Sequence, residues 1–269
     1  MSSEFRDAFE LGKGVELVQS VGGVPVVVVP EGANVEDLER LLDAPRRRRG
    51  AVDLRDERSF VEYVKAHKGG GTAIFADPDA RSVTAVINHH IPDGGAGAGL
   101  AGWSDYRAKL QLDRTPEWKA WLSINRQDLS QKKFVEFLED QITDVLSPDA
   151  ADLMEICMQL KGMKKVEFTG GVSLSNGDAE LSYSEETTAT GSKRGKVTVP
   201  ERLVLKLALF RNDFPREVPA RFRWRLENGA VQFTVVLHQP VKAEDDAMAE
   251  IVTRIKGSVA VDVLIGKLS

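Results

Sequence analysis

The stretch of the chain that most resembles a catalytic site is the pair His89-His90 followed by Asp93. Two imidazoles and a carboxylate could bind a divalent metal ion or transfer protons. The pair ends a predicted strand over Ser82–His89, where neighbouring side chains point to opposite faces. Both rings would enter one site only if a bulge interrupted the strand. The sequence favours an ordinary strand end and assigns no catalytic residue, with His89, His90 and Asp93 as the candidates for a metal-dependent hydrolase.

A glycine-rich segment, Pro92–Gly102, follows this pair and contains the letters GGAGAG. Phosphate-binding loops need a lysine followed by serine or threonine, or a strand–GxGxxG–helix context. Neither is present, because the next lysine is Lys109 and the next element is predicted to be a strand. We therefore predict a flexible loop without a nucleotide site, and no cofactor.

Basic residues that could bind phosphate groups lie on one predicted strand and one predicted loop. In RFRWRLE, three arginines alternate with apolar residues and therefore point to one face of a sheet. The predicted loop Thr187–Lys196 adds three more basic residues. Together they could bind a single-stranded nucleic acid, or they could form a solvent face paired with Glu180, Glu185 or Glu201. The nucleic-acid-binding candidates are Arg221, Arg223, Arg225, Lys193, Arg194 and Lys196.

Charge is distributed unevenly along the chain. The totals of 36 Lys and Arg against 41 Asp and Glu give a net charge of -5, which excludes a surface coated in basic residues. Between Lys161 and Arg225, however, there are 13 basic and 8 acidic residues. A separate run, Arg46–Arg49, has acidic neighbours. It is interpreted as a solvated linker or an anchor to acidic residues of a partner subunit, with phosphate binding as the alternative.

Trp118 and Trp121 are three residues apart on a short predicted helix, which is typical of core or interface anchors. We keep both as interface candidates. The single cysteine, Cys157, lies on the apolar face of a predicted helix and is expected to be buried. One cysteine excludes an intrachain disulfide and a multi-cysteine zinc site. No GxSxG, HExxH or CxxC motif is present, and no metal site is predicted.

The elements that must position these residues indicate the α+β class. The N-terminal region, residues 1–115, is predicted to be mixed α/β. Its predicted elements are a helix over residues 3–20, a strand over Pro25–Pro30, helices that begin at Asn34 and Ser59, and strands over Thr72–Ala76, Ser82–His89 and Tyr106–Leu112.

The second region, residues 116–269, is predicted to hold an αα-hairpin, a mainly antiparallel sheet and a C-terminal helix. The two regions could also form one continuous domain. Asn176-Gly177 and Asn228-Gly229 are strong hairpin signals. The predicted elements are a short helix from Pro116, a long helix over residues 131–146 capped by Ser130, a helix after Pro148, the strands around both turns, a helix over Ala243–Lys256 and a strand over Val259–Ile265.

One tract, Pro116–Ile156, carries a recognisable pattern. Its pieces are Trp118 and Trp121, Gln131 before Phe134, the run Phe137–Asp140, and Pro148 at the start of the next helix. Downstream pieces are the Asn-Gly hairpin, Tyr183–Glu185, Val199-Pro200, Arg221 and Arg223. On these residues the chain resembles the YfdQ-like family of phage and prophage proteins, over its central and C-terminal parts. The resemblance implies a phage gene product, often accompanied by recombination and replication genes, and supplies no catalytic or binding residues.

Three hypotheses about function follow, in order of preference. The first is a non-enzymatic phage accessory protein that assembles with itself or binds a host or phage protein, in host takeover or defence evasion. The second is a nucleic-acid-binding accessory of recombination or replication, and the third is the hydrolase at His89 and His90. Composition, with 42% hydrophobic and 29% charged residues, predicts a soluble protein without a membrane partner. The single cysteine suits a reducing cytoplasm, and the resemblance implies that of the infected bacterial host.

Overall fold

The structure is a computed structural model that describes residues 18–21, 24–27, 39, 42–91, 100–159, 166–173, 179–185, 193–227 and 230–268. The chain forms two compact units, Met1–Arg48 and Arg49–Ser269. The larger unit contains helices, two five-stranded sheets and a three-stranded sheet, which confirms the α+β class. None of the helices in these ranges combines the length and the apolar composition needed to cross a bilayer.

The described strands of the smaller unit form a short antiparallel hairpin. Strands β1 (Val18–Val21) and β2 (Val24–Val27) pair so that Val21 lies opposite Val24. β2 confirms part of the strand predicted over Pro25–Pro30. The helix predicted over residues 3–20 is wrong at its end, because Val18 already belongs to β1. Its earlier residues, and most of the helix predicted after Asn34, lie outside the described residues.

The first sheet of the larger unit has the strand order β17-β4-β5-β8-β3. Its three central strands are antiparallel, while each edge strand runs parallel to its neighbour. One face is apolar and buried, formed by residues such as Ile74, Val83, Ala108 and Leu110. The strands are β3 (Gly50–Leu54), β4 (Ala73–Asp77), β5 (Ser82–Val86), β8 (Tyr106–Gln111) and β17 (Val263–Ile265).

Two helices pack together beside this sheet. Helix α1 (Glu57–His67) begins where the Asp56 carboxylate accepts a hydrogen bond from Ser59 N at 2.8 Å, and it buries Phe60 and Val64. We number the C-terminal helix α5 (Pro240–Val259); it contacts α1 and buries Ile251 and Ile255. α5 is longer than the helix predicted over Ala243–Lys256, because Pro240 is tolerated in a first helical turn.

The second sheet is antiparallel throughout and has the order β10-β14-β15-β16-β9. Glu227 pairs with Ala230, which confirms the hairpin predicted at Asn228-Gly229. The inner face stacks Phe222 on Phe233, with ring centroids 5.3 Å apart. The strands are β9 (Asp128–Ser130), β10 (Val145–Ser147), β14 (Arg202–Leu207), β15 (Arg216–Glu227) and β16 (Ala230–Leu237).

Three helices accompany the second sheet: α2 (Pro116–Ile124), α3 (Gln131–Asp140) and α4 (Ala150–Gln159). α3 places Phe134 against Phe222 and Phe233, at centroid distances of 5.3 and 5.1 Å. Helices α3 and α4 contact each other, as the predicted αα-hairpin requires. Their connection corrects the long helix predicted over residues 131–146. A 3-10 turn, Ile142–Asp144, and β10 replace its end, because Asp144 turns inward to accept a hydrogen bond from Trp121.

A three-stranded antiparallel sheet comprises β11 (Val166–Ser173), β12 (Ala179–Glu185) and β13 (Lys193–Val199). Ser173 pairs with Ala179, which confirms the hairpin predicted around Asn176-Gly177. Two further strands, β6 (His90–Ile91) and β7 (Leu100–Ala101), form a small ribbon.

A buried ion pair connects α5 with the chain segment that follows the first sheet. Arg114 donates to both carboxylate oxygens of Glu244, at 2.7 and 2.9 Å, and Trp118 Nε1 donates to the same carboxylate at 2.7 Å. Buried residues of both five-stranded sheets belong to one hydrophobic core. The domain boundary predicted between residues 115 and 116 stays a prediction.

Candidate nucleic-acid interface

The outer face of the second sheet carries exposed arginines. On β15, Arg221, Arg223 and Arg225 are exposed, while Phe222 between them is buried. This is the alternation that the sequence predicts, because successive side chains of a strand point to opposite faces. β15 therefore places Phe222 in the core and the guanidinium groups of Arg221, Arg223 and Arg225 in solvent.

A fourth arginine, Arg202, joins this surface although the sequence analysis did not single it out. Arg202 begins β14 and lies directly opposite Arg221 in the strand register. Like charges at such cross-strand positions repel each other. Sequence spacing could not reveal the pair, because the register of β14 against β15 depends on a connection of eight residues. We call Arg202, Arg221 and Arg223 the arginine face.

The arginine face has no ion pair in the part of the chain that the structure describes. The sequence analysis offered Glu201 as a partner across the sheet, and Glu201 makes no salt bridge to these arginines within those ranges. Arg225 differs from the other three. Its guanidinium Nη2 lies 2.8 Å from Asp128 Oδ2, so its charge is neutralised by β9.

A cavity of about 570 Å³ opens beside the arginine face. Its described lining residues are Glu201, Arg202, Arg221, Phe222, Arg223 and Trp224. This volume lies within the range of ordinary ligand pockets in proteins, ~300–1,000 Å³. The site therefore combines concentrated positive charge, an aromatic side chain and space for a ligand.

The remaining nucleic-acid candidates, Lys193, Arg194 and Lys196, lie on β13 rather than on the predicted loop. The earlier part of that loop is outside the described residues. Strand pairing places Lys193 opposite Glu185 and Lys196 opposite Ser182. The flexible basic tip predicted for these three residues is therefore corrected to a regular strand, because their backbone pairs continuously with β12.

The histidine candidates lie closer together than the sequence indicated. β5 ends at Val86, and a turn separates it from His90 at the start of β6. Because the pair does not lie on one continuous strand, the rings of His89 and His90 approach to a centroid distance of 4.2 Å. His89 Nδ1 is 3.1 Å from Ser104 Oγ, and burial, with His90 and Arg107 nearby, lowers the pKa of His89.

This histidine pair gains no further metal ligand in the described ranges, where no group of three or more His, Cys, Asp or Glu residues is arranged around an ion position. Asp93 and most of the glycine-rich segment lie outside the described residues. The backbone around the pair is tightly packed: a Cβ at Gly102 would lie 2.1 Å from the carbonyl oxygen of Asn88. The geometry thus shows a close-packed turn with two adjacent imidazoles.

Trp118 and Trp121 are both fully buried, each with 0% relative exposure. Trp121 Nε1 donates to Asp144 at 2.9 Å, and Trp118 Nε1 donates to Glu244. Both indoles therefore belong to the core of this chain and offer no surface to a partner. That corrects their assignment as interface candidates in favour of the core interpretation.

Cys157 is buried, as the sequence predicts, and burial raises the pKa of its thiol to about 12. A thiol with such a pKa stays protonated at neutral pH, so Cys157 packs as a small hydrophobic residue.

The Arg46–Arg49 run lies at the boundary between the two compact units, and Arg46 N donates to Glu39 at 2.8 Å.

Comparison with known proteins identifies the family. Residues 5–268 match the family described as "Uncharacterized conserved protein (DUF2303)". The chain belongs to this family. No curated protein and no solved structure matches the chain. The match covers nearly the whole of both compact units, and the family description names no activity.

Proposed function

We propose that this protein binds nucleic acid through the arginine face and acts by binding rather than by catalysis. The observation that supports this function is the register of β14 and β15, which sets Arg202 opposite Arg221 with Arg223 beside them. No ion pair neutralises these three within the described ranges. Phosphate groups are the ligands whose charge and hydrogen-bonding geometry suit clustered guanidinium groups.

The unbound arginine face is electrostatically unfavourable, because Arg202 and Arg221 lie opposite each other. Cross-strand like charges destabilise a sheet by ~0.2–1 kcal/mol. An anionic backbone on this face would relieve that repulsion and release condensed counterions. Because the net charge of the whole chain is -5, attraction to nucleic acid must be local, and it must weaken steeply as salt is added.

The biological setting in this proposal is a phage or prophage. It is supported by the resemblance of the tract Pro116–Ile156 to the YfdQ-like family, whose genes often accompany recombination and replication genes. The protein would then act in the cytoplasm of the infected bacterium, as an accessory of one of those processes. An accessory role fits a surface that holds a nucleic acid backbone and has no catalytic constellation beside it in the described residues.

The test is a binding titration of a fluorescein-labelled 30-nucleotide oligo-dT, followed by anisotropy at 50 mM and 200 mM salt. We expect binding at low salt that is lost in the triple variant Arg202→Ala, Arg221→Ala, Arg223→Ala. Three phosphate contacts on a single strand should contribute about 2 to the slope of log K against log salt. A residual affinity of the triple variant should show a slope that is smaller by that amount.

A matched variant controls for net charge. Arg55, Arg58 and Arg211 are exposed and belong to no strand of the second sheet, and replacing all three by Ala removes the same charge. This control should retain most of the affinity of the unmodified protein. Absence of binding at 50 mM salt both to this oligonucleotide and to a 30-base-pair duplex would refute nucleic-acid binding, and equal losses in both triple variants would refute the arginine face as its location.

A second candidate function, self-association or binding of another protein, is favoured by exposed apolar residues on the β6–β7 ribbon. Ile91 and Leu100 pair across the ribbon with relative exposures of 49% and 64%, and Trp103, just beyond β7, is 74% exposed. Large exposed apolar side chains that lie close together often mark protein interfaces. Here we propose a second copy of the chain as the occupant.

Light scattering coupled to size-exclusion chromatography tests this candidate. We expect a discrete oligomer that dissociates when Leu100→Ser and Trp103→Ser are combined. A control variant, Phe214→Ser, removes another highly exposed aromatic residue and should leave the oligomer intact. A monomeric unmodified protein at high micromolar concentration would exclude self-association through this ribbon.

A further inference from the structure

The cavity beside the arginine face exists because two strands of the second sheet differ in length. β14 begins at Arg202, opposite Arg221, whereas β15 continues to Glu227. One further hydrogen bond, from Phe222 N to Glu201 O at 2.9 Å, continues this pairing past Arg202. Beyond it β14 no longer flanks β15, so side chains from both faces of β15 can line one opening.

This arrangement brings an indole next to guanidinium groups that would otherwise be separated by the sheet. Trp224 lies in the same row as Phe222 and pairs with Phe233, which is the core-facing row. It is only partly buried, and it lines the cavity together with Arg221 and Arg223. The opening thus offers an aromatic side chain, Trp224, in the same lining as Arg221 and Arg223.

On this basis we infer that the ligand is a single-stranded nucleic acid, and that one unstacked base enters the cavity against Trp224 while its flanking phosphates contact the arginine face. The inference depends on the proposed function, since it names which nucleic acid binds there. Stacking of bases on aromatic side chains and backbone contacts to basic residues are the two interactions by which proteins hold single strands.

Two features favour a single strand over a duplex. A base within a duplex is stacked on both sides and cannot present its face to Trp224 without being flipped out. In addition, alternate residues of a strand repeat every ~6.6–6.8 Å, so Arg221 and Arg223 can meet successive phosphates of an extended backbone. A rigid duplex would meet the sheet with its phosphates along a curved groove and leave the cavity empty.

The negative charge of Glu201, which lines the cavity, indicates which part of the nucleotide enters it. The Glu201 carboxylate would repel a phosphate, but it can accept a hydrogen bond from an N–H group on a base edge, such as the N3–H of thymine. The base therefore suits the cavity, and the phosphates suit the three arginines outside it. A free phosphate ion or an acidic peptide would use the arginines and would gain nothing from Trp224.

Tryptophan fluorescence tests the inference directly. The chain has four tryptophans, of which Trp118 and Trp121 are fully buried. In a Trp103→Phe background, Trp224 is the tryptophan that a ligand of the second sheet can reach. We expect oligo-dT of 30 nucleotides to quench its emission, while a 30-base-pair duplex and inorganic phosphate leave the emission unchanged.

Affinity measurements supply the second arm. We expect Trp224→Leu to weaken oligo-dT binding roughly fivefold or more, with an unchanged salt slope because the phosphate contacts remain. Trp224→Phe keeps an aromatic face and should restore most of the affinity. Since Trp224 also packs against the core, each variant is first compared with the unmodified protein by thermal melting. Where Trp224→Leu fails to fold, the quenching of Trp224 emission by oligo-dT decides the inference.

The outcomes separate the inference from the proposed function. Binding that depends on the arginine face, is equally tight for duplex and single strand, and leaves Trp224 emission unchanged overturns the inference and leaves the proposed function standing. Quenching by an acidic peptide such as oligoglutamate, equal to that by oligo-dT, would also overturn it. Failure of every nucleic acid to bind refutes both.

Discussion

Two groups of arginines in the larger unit differ in whether carboxylates neutralise their charge. Beside α5, Arg254 donates to Glu57 at 2.7 and 3.0 Å and to Asp213 at 2.9 Å, and Arg216 donates to Asp213 and Glu250. On the second sheet, Arg202, Arg221 and Arg223 face one another and have no carboxylate partner in the described ranges. We call the first group the paired arginines, Arg216 and Arg254.

The difference indicates that the paired arginines stabilise the fold, whereas the arginine face is available to bind a ligand. The paired arginines share the carboxylate of Asp213, whose side chain is only 2% exposed, and hydrogen bonding to Glu57 raises the pKa of Arg254. A buried charge must be paired, because leaving it alone costs several kcal/mol. The arginine face is exposed to water, so it can remain unpaired at a small cost and keep its charge for binding.

The largest expected effect comes from removing the shared carboxylate of the paired arginines. Asp213→Ala leaves Arg216 and Arg254 partly buried without their common acceptor, and we expect the free energy of unfolding to fall by about 3–5 kcal/mol. Urea denaturation measures the change. Glu62→Ala, which breaks the exposed pair with Arg58, should change stability by less than about 0.5 kcal/mol. Similar values for both would remove the distinction between the two groups.

A buried acid, Asp144, provides a smaller and pH-dependent test. Burial raises the pKa of the Asp144 carboxyl, an effect that the hydrogen bond from Trp121 reduces and the charge of Glu117 increases. Folding therefore favours the protonated form of the Asp144 carboxyl. The contribution of this carboxyl to the free energy of unfolding is fully present below its ordinary pKa, and it is lost as the pH rises through the raised pKa of the folded state.

Asp144→Asn removes the loss of stability at higher pH, because the amide does not ionise. Its side-chain oxygen can still accept the hydrogen bond from Trp121 Nε1. We expect the variant to become more stable than the unmodified protein as the pH rises toward 7, with the difference shrinking in acid. Thermal melting at several pH values measures it. Asp140→Asn, which changes an exposed carboxylate of the same segment, should give no such trend. A constant difference across the pH range would contradict the assignment.

Reversing one charge of the arginine face should stabilise the protein slightly and abolish binding. Arg221→Glu converts the pair with Arg202 from repulsive to attractive, and we expect a gain of about 0.2–1 kcal/mol. Arg221→Gln removes the repulsion alone and should give an intermediate gain. Loss of stability in both variants would show that Arg221 has a structural partner, and would group it with the paired arginines.

The smallest effect is expected at Arg225, which is intermediate between the two groups. Its ion pair with Asp128 is exposed, so Arg225→Ala should cost less than about 1 kcal/mol of stability. It should also weaken oligo-dT binding less than Arg223→Ala does, because its charge is already neutralised. Asp128→Ala removes this ion pair and should tighten binding. A stronger loss at Arg225 than at Arg223 would reverse this order.

Much of the larger unit follows from local sequence signals. The hairpin over β15 and β16 is readable because Asn228-Gly229 favours a tight turn and period-two alternation assigns Phe222 to one face. The helix α2 is readable because Thr115 and Pro116 suit the start of a helix. These signals lie within a few residues of each other, so no distant contact is needed to interpret them.

Predictions from local sequence signals were wrong where contacts with residues distant in sequence determine the backbone conformation. The apolar period of α3 continues past Asp140, but the chain turns there because Asp144 meets Trp121 and Val145 pairs with Leu205. His89 and His90 follow a strand-like run, but the strand stops at Val86. The basic residues Lys193 and Arg194 read as a loop, yet pairing with β12 extends them into a strand.

The sequence by itself determined the α+β class, the alternation that exposes Arg221, Arg223 and Arg225, and the burial of Cys157, because each depends on the period of a single element. Only the tertiary structure decided that Arg202 faces Arg221, that Asp128 neutralises Arg225, and that Trp224 lines a cavity with Glu201. Those relations depend on strand register and on where a neighbouring strand begins. Register is set by the packing of the whole sheet, which no local pattern contains.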